Sequence, residues 1–192
     1  MKRLAAIGLV AIMVSGAPAL AQSDGATEAT ELPTPAESLE KGKDAASRQS
    51  WRSARIYYKQ ACDGGEAVGC SGLADLYRKG LGGPLLESSA ERLYKKACRS
   101  DDINACATLG YLFNTGFNGE PDYEQSRRYY KLACDADLTS ACAAYGNQLY
   151  GGVGGGYKRA EGKALLQATC DDGFEWSCTR LVDLGFSKRD PF

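Results

Sequence analysis

The chain has 192 residues, with 23 basic and 24 acidic side chains, eight cysteines and no histidine. This near balance of charge gives no electrostatic footprint for nucleic acid or an anionic membrane surface. The lack of histidine removes His-dependent triads and most zinc, haem and copper sites, so no cofactor and no metal site is expected.

The N-terminus reads as an export signal. Lys2 and Arg3 make a basic start, Leu4 to Val14 an apolar core, and Ala19-Leu20-Ala21 a small-residue cleavage site; this is the layout of a signal peptide over residues 1–21. The apolar run is too short to span a bilayer, and nothing after Gln22 approaches the ~20 apolar residues of a membrane helix. A periplasmic or secreted protein without membrane insertion is expected, and in such an oxidising compartment eight cysteines imply disulfides. Residues 22–35 are small, polar, acidic and proline-bearing, and read as a flexible leader.

Next comes a strict period. Cysteines stand at 62 and 70, 98 and 106, 134 and 142, 170 and 178: four C-x7-C couples, each offset by 36 residues from the one before. Tyr57-Tyr58, Leu93-Tyr94, Tyr129-Tyr130 and Leu165-Leu166 precede the first cysteine of each couple in the same frame, and Gly80, Gly116 and Gly152 follow the second. Ala54, Tyr57, Tyr58 and Ala61 lie at the i, i+3, i+4, i+7 spacing of one buried helical stripe, as do Ala90, Leu93, Tyr94 and Ala97. The tyrosines of this stripe are therefore expected in the core. No stretch alternates with period two, so no sheet is expected.

The predicted fold is an all-α superhelix, a solenoid of about nine antiparallel helices over residues 36–186. Its first pair lies near 36–47 and Trp51–Cys62, a final helix from Phe174 to Gly185 acts as a cap, and residues 187–192 form a tail. The GGVGGG run at 151–156 follows a helix, lacks a Gly-Lys-Ser/Thr ending and matches plainer inter-helix loops in earlier repeats, so it reads as a turn and not a phosphate loop.

Each C-x7-C couple places one cysteine in the last turn of a helix and the other in the first turn of the next, antiparallel one, so the two can meet across the turn. The expected bridges are Cys62–Cys70, Cys98–Cys106, Cys134–Cys142 and Cys170–Cys178. Seven intervening residues suit neither a redox C-x-x-C nor a structural zinc site.

The pattern A-x-x-x-Y-x-x-A-C-D-x-G-x-x-x-x-C-x-x-L-G-x-x-Y-x-x-G, carried by segments such as IYYKQACDGGEAVGCSGLADLYRKG, resembles the Sel1-like repeat, a relative of the tetratricopeptide repeat. Its disulfide-bearing form is similar to the Helicobacter cysteine-rich proteins. The resemblance implies helix pairs with a concave face that holds a protein or peptide partner. It also implies an alternative, weak binding or hydrolysis of a β-lactam or related cell-wall fragment. Thr169, Gly162 and Ser126 depart from the alanines of the pattern, and Val182 stands at a usual glycine position.

For the binding reading, the exposed positions of the first helices supply candidates: Asp75, Tyr111, Asn147 and Asp183, and one turn later Arg78, Asn114 and Tyr150. They vary between repeats while the core stays fixed, and aromatic and Arg side chains are common interface anchors. For the hydrolase reading, one S-x-x-K is present, Ser38-Leu39-Glu40-Lys41, without the S-D-N and K-T-G companions of a serine β-lactamase. Asp101-Asp102 and Asp171-Asp172 read as turn acids, and no catalytic residue is assigned.

Overall fold

The computed structural model describes residues 32–117 and 119–187. The signal segment, most of the leader and residues 188–192 of the tail lie outside the described residues. Within the unit Pro33–Phe192 the described residues form helices and no strand: α1 (Pro35–Ser47), α2 (Trp51–Asp63), α3 (Ala67–Arg78), α4 (Glu87–Arg99), α5 (Ile103–Thr115), α6 (Tyr123–Asp135), α7 (Thr139–Gly151), α8 (Arg159–Asp171) and α9 (Glu175–Asp183). Each packs chiefly on its neighbours in the chain, the arrangement of a helical repeat array. The first helix begins at Pro35, with Thr34 as its cap in a reciprocal pair with Glu37, so the helical body takes in the last residues of the predicted leader.

Small residues set how closely the helices approach. At one frame of the even-numbered helices stand Ala54, Ala90 and Ser126, and seven residues on Ala61, Ala97 and Ala133, all 0 % exposed. The three departures from alanine have physical reasons. Ser126 Oγ donates to the Gly110 carbonyl at 2.7 Å. Thr169 Oγ1 reaches Ser177 Oγ on α9 at 2.7 Å, so each buried hydroxyl has a partner. At Gly162 an added Cβ would come within 2.5 Å of the Gly146 carbonyl, so the α7–α8 approach admits no side chain.

The tyrosine stripe is only partly core. Tyr94 is 1 % exposed and Tyr58 is 9 % exposed, but Tyr57, Tyr129 and Tyr130 are half-buried. In Tyr57-Tyr58 the first residue turns toward the edge of the stripe, because a helix seam one small residue deep admits one ring and not two.

Turn chemistry repeats with the same period. α5 and α7 end on left-handed Gly116 (φ 75°) and Gly152 (φ 68°), the conformation that a helix C-terminus commonly requires. On the cysteine side, Gly65, Asp101, Asp137 and Gly173 all take positive φ in one frame. Asp102, read as a plain turn acid, is the N-cap of α5, its Oδ1 accepting from Ala105 N–H at 3.1 Å, and its Oδ2 accepts from Ser71 Oγ at 2.5 Å.

Disulfides Cys62–Cys70, Cys98–Cys106, Cys134–Cys142 and Cys170–Cys178 close these turns, with Cα–Cα distances of 4.4 to 4.8 Å. They tie the end of each even-numbered helix to the start of the next odd-numbered one. Replacing Cys98 and Cys106 together by alanine is expected to lower stability by about 2–3 kcal/mol, the chain entropy of a loop this short. Urea denaturation of the oxidised variant against the parent checks this, and an unchanged midpoint would mean the turn is already fixed without the bridge.

Candidate functional site

Residues of α3, α5 and α7 line an open groove of about 400 Å³. Three of the sequence candidates meet in it: Asp75 and Arg78 on α3, and Tyr111 on α5. Tyr111 is 57 % exposed, a large aromatic surface with little of the chain against it. The floor between them is made of small side chains, Ala107, Ala141 and Ala144, which leaves room for groups from outside.

The α3 end of the groove is held rigid. Tyr94 on α4 donates its hydroxyl to Asp75 Oδ1 at 2.7 Å. Arg78 donates to the same carboxylate oxygen at 3.1 Å and to Tyr94 Oη at 3.2 Å. A charged pair fixed by a buried phenol loses little side-chain freedom when a partner binds, which favours affinity.

The other candidates lie outside this groove, and Asn114, Asn147 and Tyr150 are engaged within the chain. Asn114 Oδ1 accepts from Gln148 Nε2 at 3.1 Å, and Asn147 Oδ1 accepts from Arg180 Nε at 2.7 Å. Tyr150 meets the Phe186 ring edge-on at 6.0 Å. Asp183 sits exposed near the end of α9.

Tyr130, predicted as core, also lines the groove. It stands in the frame of Tyr94, as Tyr111 stands in the frame of Asp75. The second repeat thus places Tyr130 and Tyr111 where the first has its tyrosine–carboxylate contact. That frame relation is the signal in the sequence that could have found Tyr130.

Burial, reinforced by the Asp75 charge, holds the Tyr94 phenol far above its ordinary range. Burial, with a smaller contribution from Tyr111, pushes Tyr130 up to about 12. The unfolded chain releases such a proton near 10.0, so the stability tied to these phenols is complete below that pH and is lost as pH rises through the folded value. A Tyr130→Phe variant should lose less stability between pH 10 and 12 than the parent; equal losses in urea melts across that window would contradict the assignment.

The S-x-x-K serine fares differently. Ser38 is 0 % exposed inside α1, its hydroxyl 3.5 Å from the Pro33 carbonyl, while Lys41 is exposed. A nucleophile must touch its substrate and its base, and this hydroxyl is enclosed by its own helix pair. In a chromogenic β-lactam assay the oxidised Ser38→Ala protein is expected to give the same signal as the parent, whether or not that signal exceeds background; a signal in the parent that the variant lacks would contradict the enclosure of this hydroxyl.

Paired antiparallel helices in constant register, each unit contacting only its neighbours, define a helical repeat solenoid. The Sel1 repeat model matches residues 39–66, 67–102 and 103–138, and the chain belongs to the Sel1 repeat family. The match boundaries at 67 and 103 fall on the first residues of α3 and α5. Among solved structures, the chain is similar to a Sel1 repeat protein from Oxalobacter formigenes, at 24 % identity and a TM-score of 0.61 over 67 % of this chain and 96 % of that one. It is also similar to a protective antigen of uropathogenic Escherichia coli displaying an SLR fold, at 18 % identity and a TM-score of 0.73, over 81 % of this chain and 35 % of that longer one. Helicobacter pylori cysteine rich protein B aligns at 24 % identity with a TM-score of 0.51, over 73 % of this chain and 94 % of that one. At these identities the likeness is one of fold. No curated protein matches in sequence.

Proposed function

We propose that this chain is an exported scaffold that holds a protein or peptide partner in the groove across α3, α5 and α7. The observation that carries the reading is the convergence of Asp75, Arg78 and Tyr111 on one groove, with the charged pair fixed by Tyr94 and Tyr111 exposed. Solenoids use extended surfaces of this kind for binding, and a central aromatic beside an arginine has the composition of an interface hot spot. The local disulfides and the leader-like residues 1–21 support an oxidising compartment, periplasmic or extracellular, as the place where it works. Among the described residues no helix is long and apolar enough to cross a membrane. Asn114, Asn147, Tyr150 and Asp183, which share the repeat frame of the groove residues, belong on this reading to a wider binding face outside the groove itself.

A photo-crosslinking residue at position 111 tests this in the native host compartment. A discrete adduct is expected at 111 and not at Arg92, an exposed position on α4, and it should weaken by tenfold or more, on the order of 1.4 kcal/mol, when Arg78 is replaced by alanine. Equal adducts at both positions, or none at 111, would remove the groove from consideration.

A further inference from the structure

The three loops that lead from α3 to α4, from α5 to α6 and from α7 to α8 begin and end alike. At their starts Leu81, Phe117 and Val153 donate backbone N–H to Leu76, Leu112 and Gln148, at 2.9, 3.1 and 2.9 Å. At their ends Leu86, Asp122 and Lys158 donate to Tyr77, Phe113 and Leu149, at 3.0, 2.9 and 2.9 Å.

In the first loop the space between these fixed ends is filled by an arginine of the chain. Arg55 donates to the carbonyls of Leu76, Leu81 and Pro84 at 3.1, 2.5 and 2.8 Å, and its guanidinium lies 4.6 Å from the Tyr77 ring centroid. In the third loop Arg127 does similar work, donating to the Gly156 carbonyl at 3.2 Å. Both guanidinium groups press on a loop glycine: a Cβ at Gly83 would sit 2.7 Å from Arg55 Nη1, and one at Gly155 2.5 Å from Arg127 Nη1.

The second repeat breaks this rule in one residue. At the frame of Arg55 and Arg127 stands Glu91. A Cβ built on Gly119, the counterpart of Gly83 and Gly155, meets nothing within 4 Å. Beside it lies a cavity of about 210 Å³ walled by Leu109, Leu112, Phe113 and Phe117, with Glu91, Glu120 and Asp122 also lining it. The frame positions of those three acids hold Arg55, Pro84 and Leu86 in the first repeat and Arg127, Gly156 and Lys158 in the third. Apolar walls with an acidic lining therefore occur together where the arginine is missing. The site already draws a cation of its own chain: Lys95 Nζ is 2.6 Å from Glu91 Oε1 and 5.3 Å from the Phe113 ring centroid.

We propose that this cavity is a receptor for the guanidinium of an arginine side chain carried by a partner polypeptide, which takes the place that Arg55 and Arg127 fill in the neighbouring repeats. The planar fork of arginine can meet loop carbonyls, a carboxylate and an aromatic face at the same time, as Arg55 meets carbonyls and a ring in the first repeat, whereas the compact ammonium of lysine meets fewer of them at once. The receptor shares no lining residue with the groove of α3, α5 and α7, so either site can fail without the other.

The test is a chemical-shift titration of the oxidised protein with N-acetyl-arginine amide, beside the lysine and neutral citrulline counterparts. Saturable shifts are expected at Phe113, Phe117 and Glu120, with binding of lysine and citrulline weaker by about tenfold. Glu91→Arg should abolish the shifts and raise the melting temperature, because its own guanidinium then occupies the cavity; Glu91→Gln should keep the fold and weaken binding severalfold. Absence of saturable shifts at these residues, equal binding of lysine or citrulline, undiminished binding by the Glu91→Arg protein, or a lowered melting temperature in that variant would each overturn the proposal.

Discussion

The close approach of successive helices across a seam only one small residue deep is the constraint on which the rest depends. Ala54, Ala90 and Ser126, with Ala61, Ala97 and Ala133 seven residues on, are fully buried, and Gly162 continues the series where even a methyl group would strike the Gly146 backbone. Helices this near to one another leave no freedom in register. The turns from each even-numbered helix to the next odd-numbered one, 64–66, 100–102, 136–138 and 172–174, then share one length, and the cysteine couples fall at the same place around each of them. The disulfides staple a geometry already dictated by packing, adding stability by restricting the unfolded chain.

From that register the two surfaces follow. Because neighbouring odd-numbered helices are held at a fixed interval with small residues between them, their outward side chains form a groove whose contents change from repeat to repeat: a carboxylate, arginine and tyrosine cluster at Asp75, Arg78 and Tyr94, then paired tyrosines at Tyr111 and Tyr130. Because the loops at the other ends of these helices also repeat, the change from arginine to Glu91 within the frame, with Glu120 and Asp122 beside it, falls where the second repeat has a cavity. A constant frame with a few altered positions is how a repeat array gains specificity without altering its fold.

Much of this was legible in the sequence. The cysteine spacing, the small residues and the glycine stops at 80, 116 and 152 all carry one 36-residue period, and Asp75, Arg78 and Tyr111 were identifiable as surface positions because they vary within it. Other features were hidden for physical reasons. Tyr130 and Tyr57 each belong to an adjacent tyrosine pair, and periodicity alone cannot decide which ring enters a narrow seam. Asn147 looked available, but its partner Arg180 lies 33 positions away on α9. The work of Arg55 depends on carbonyls of a glycine-rich loop, and backbone carbonyls leave no mark in residue identity. Ser38 carried a catalytic motif by spacing while its helix pair enclosed it.

In the proposed function the odd-numbered helices present a rigid face to a polypeptide partner. Amide hydrogen exchange of the oxidised protein, with and without the partner recovered by crosslinking at position 111, tests it most directly. Added protection confined to α3, α5 and α7, with α2 and α4 unchanged, is the predicted result; protection centred on α2 and α4, or spread evenly over the array, would contradict it.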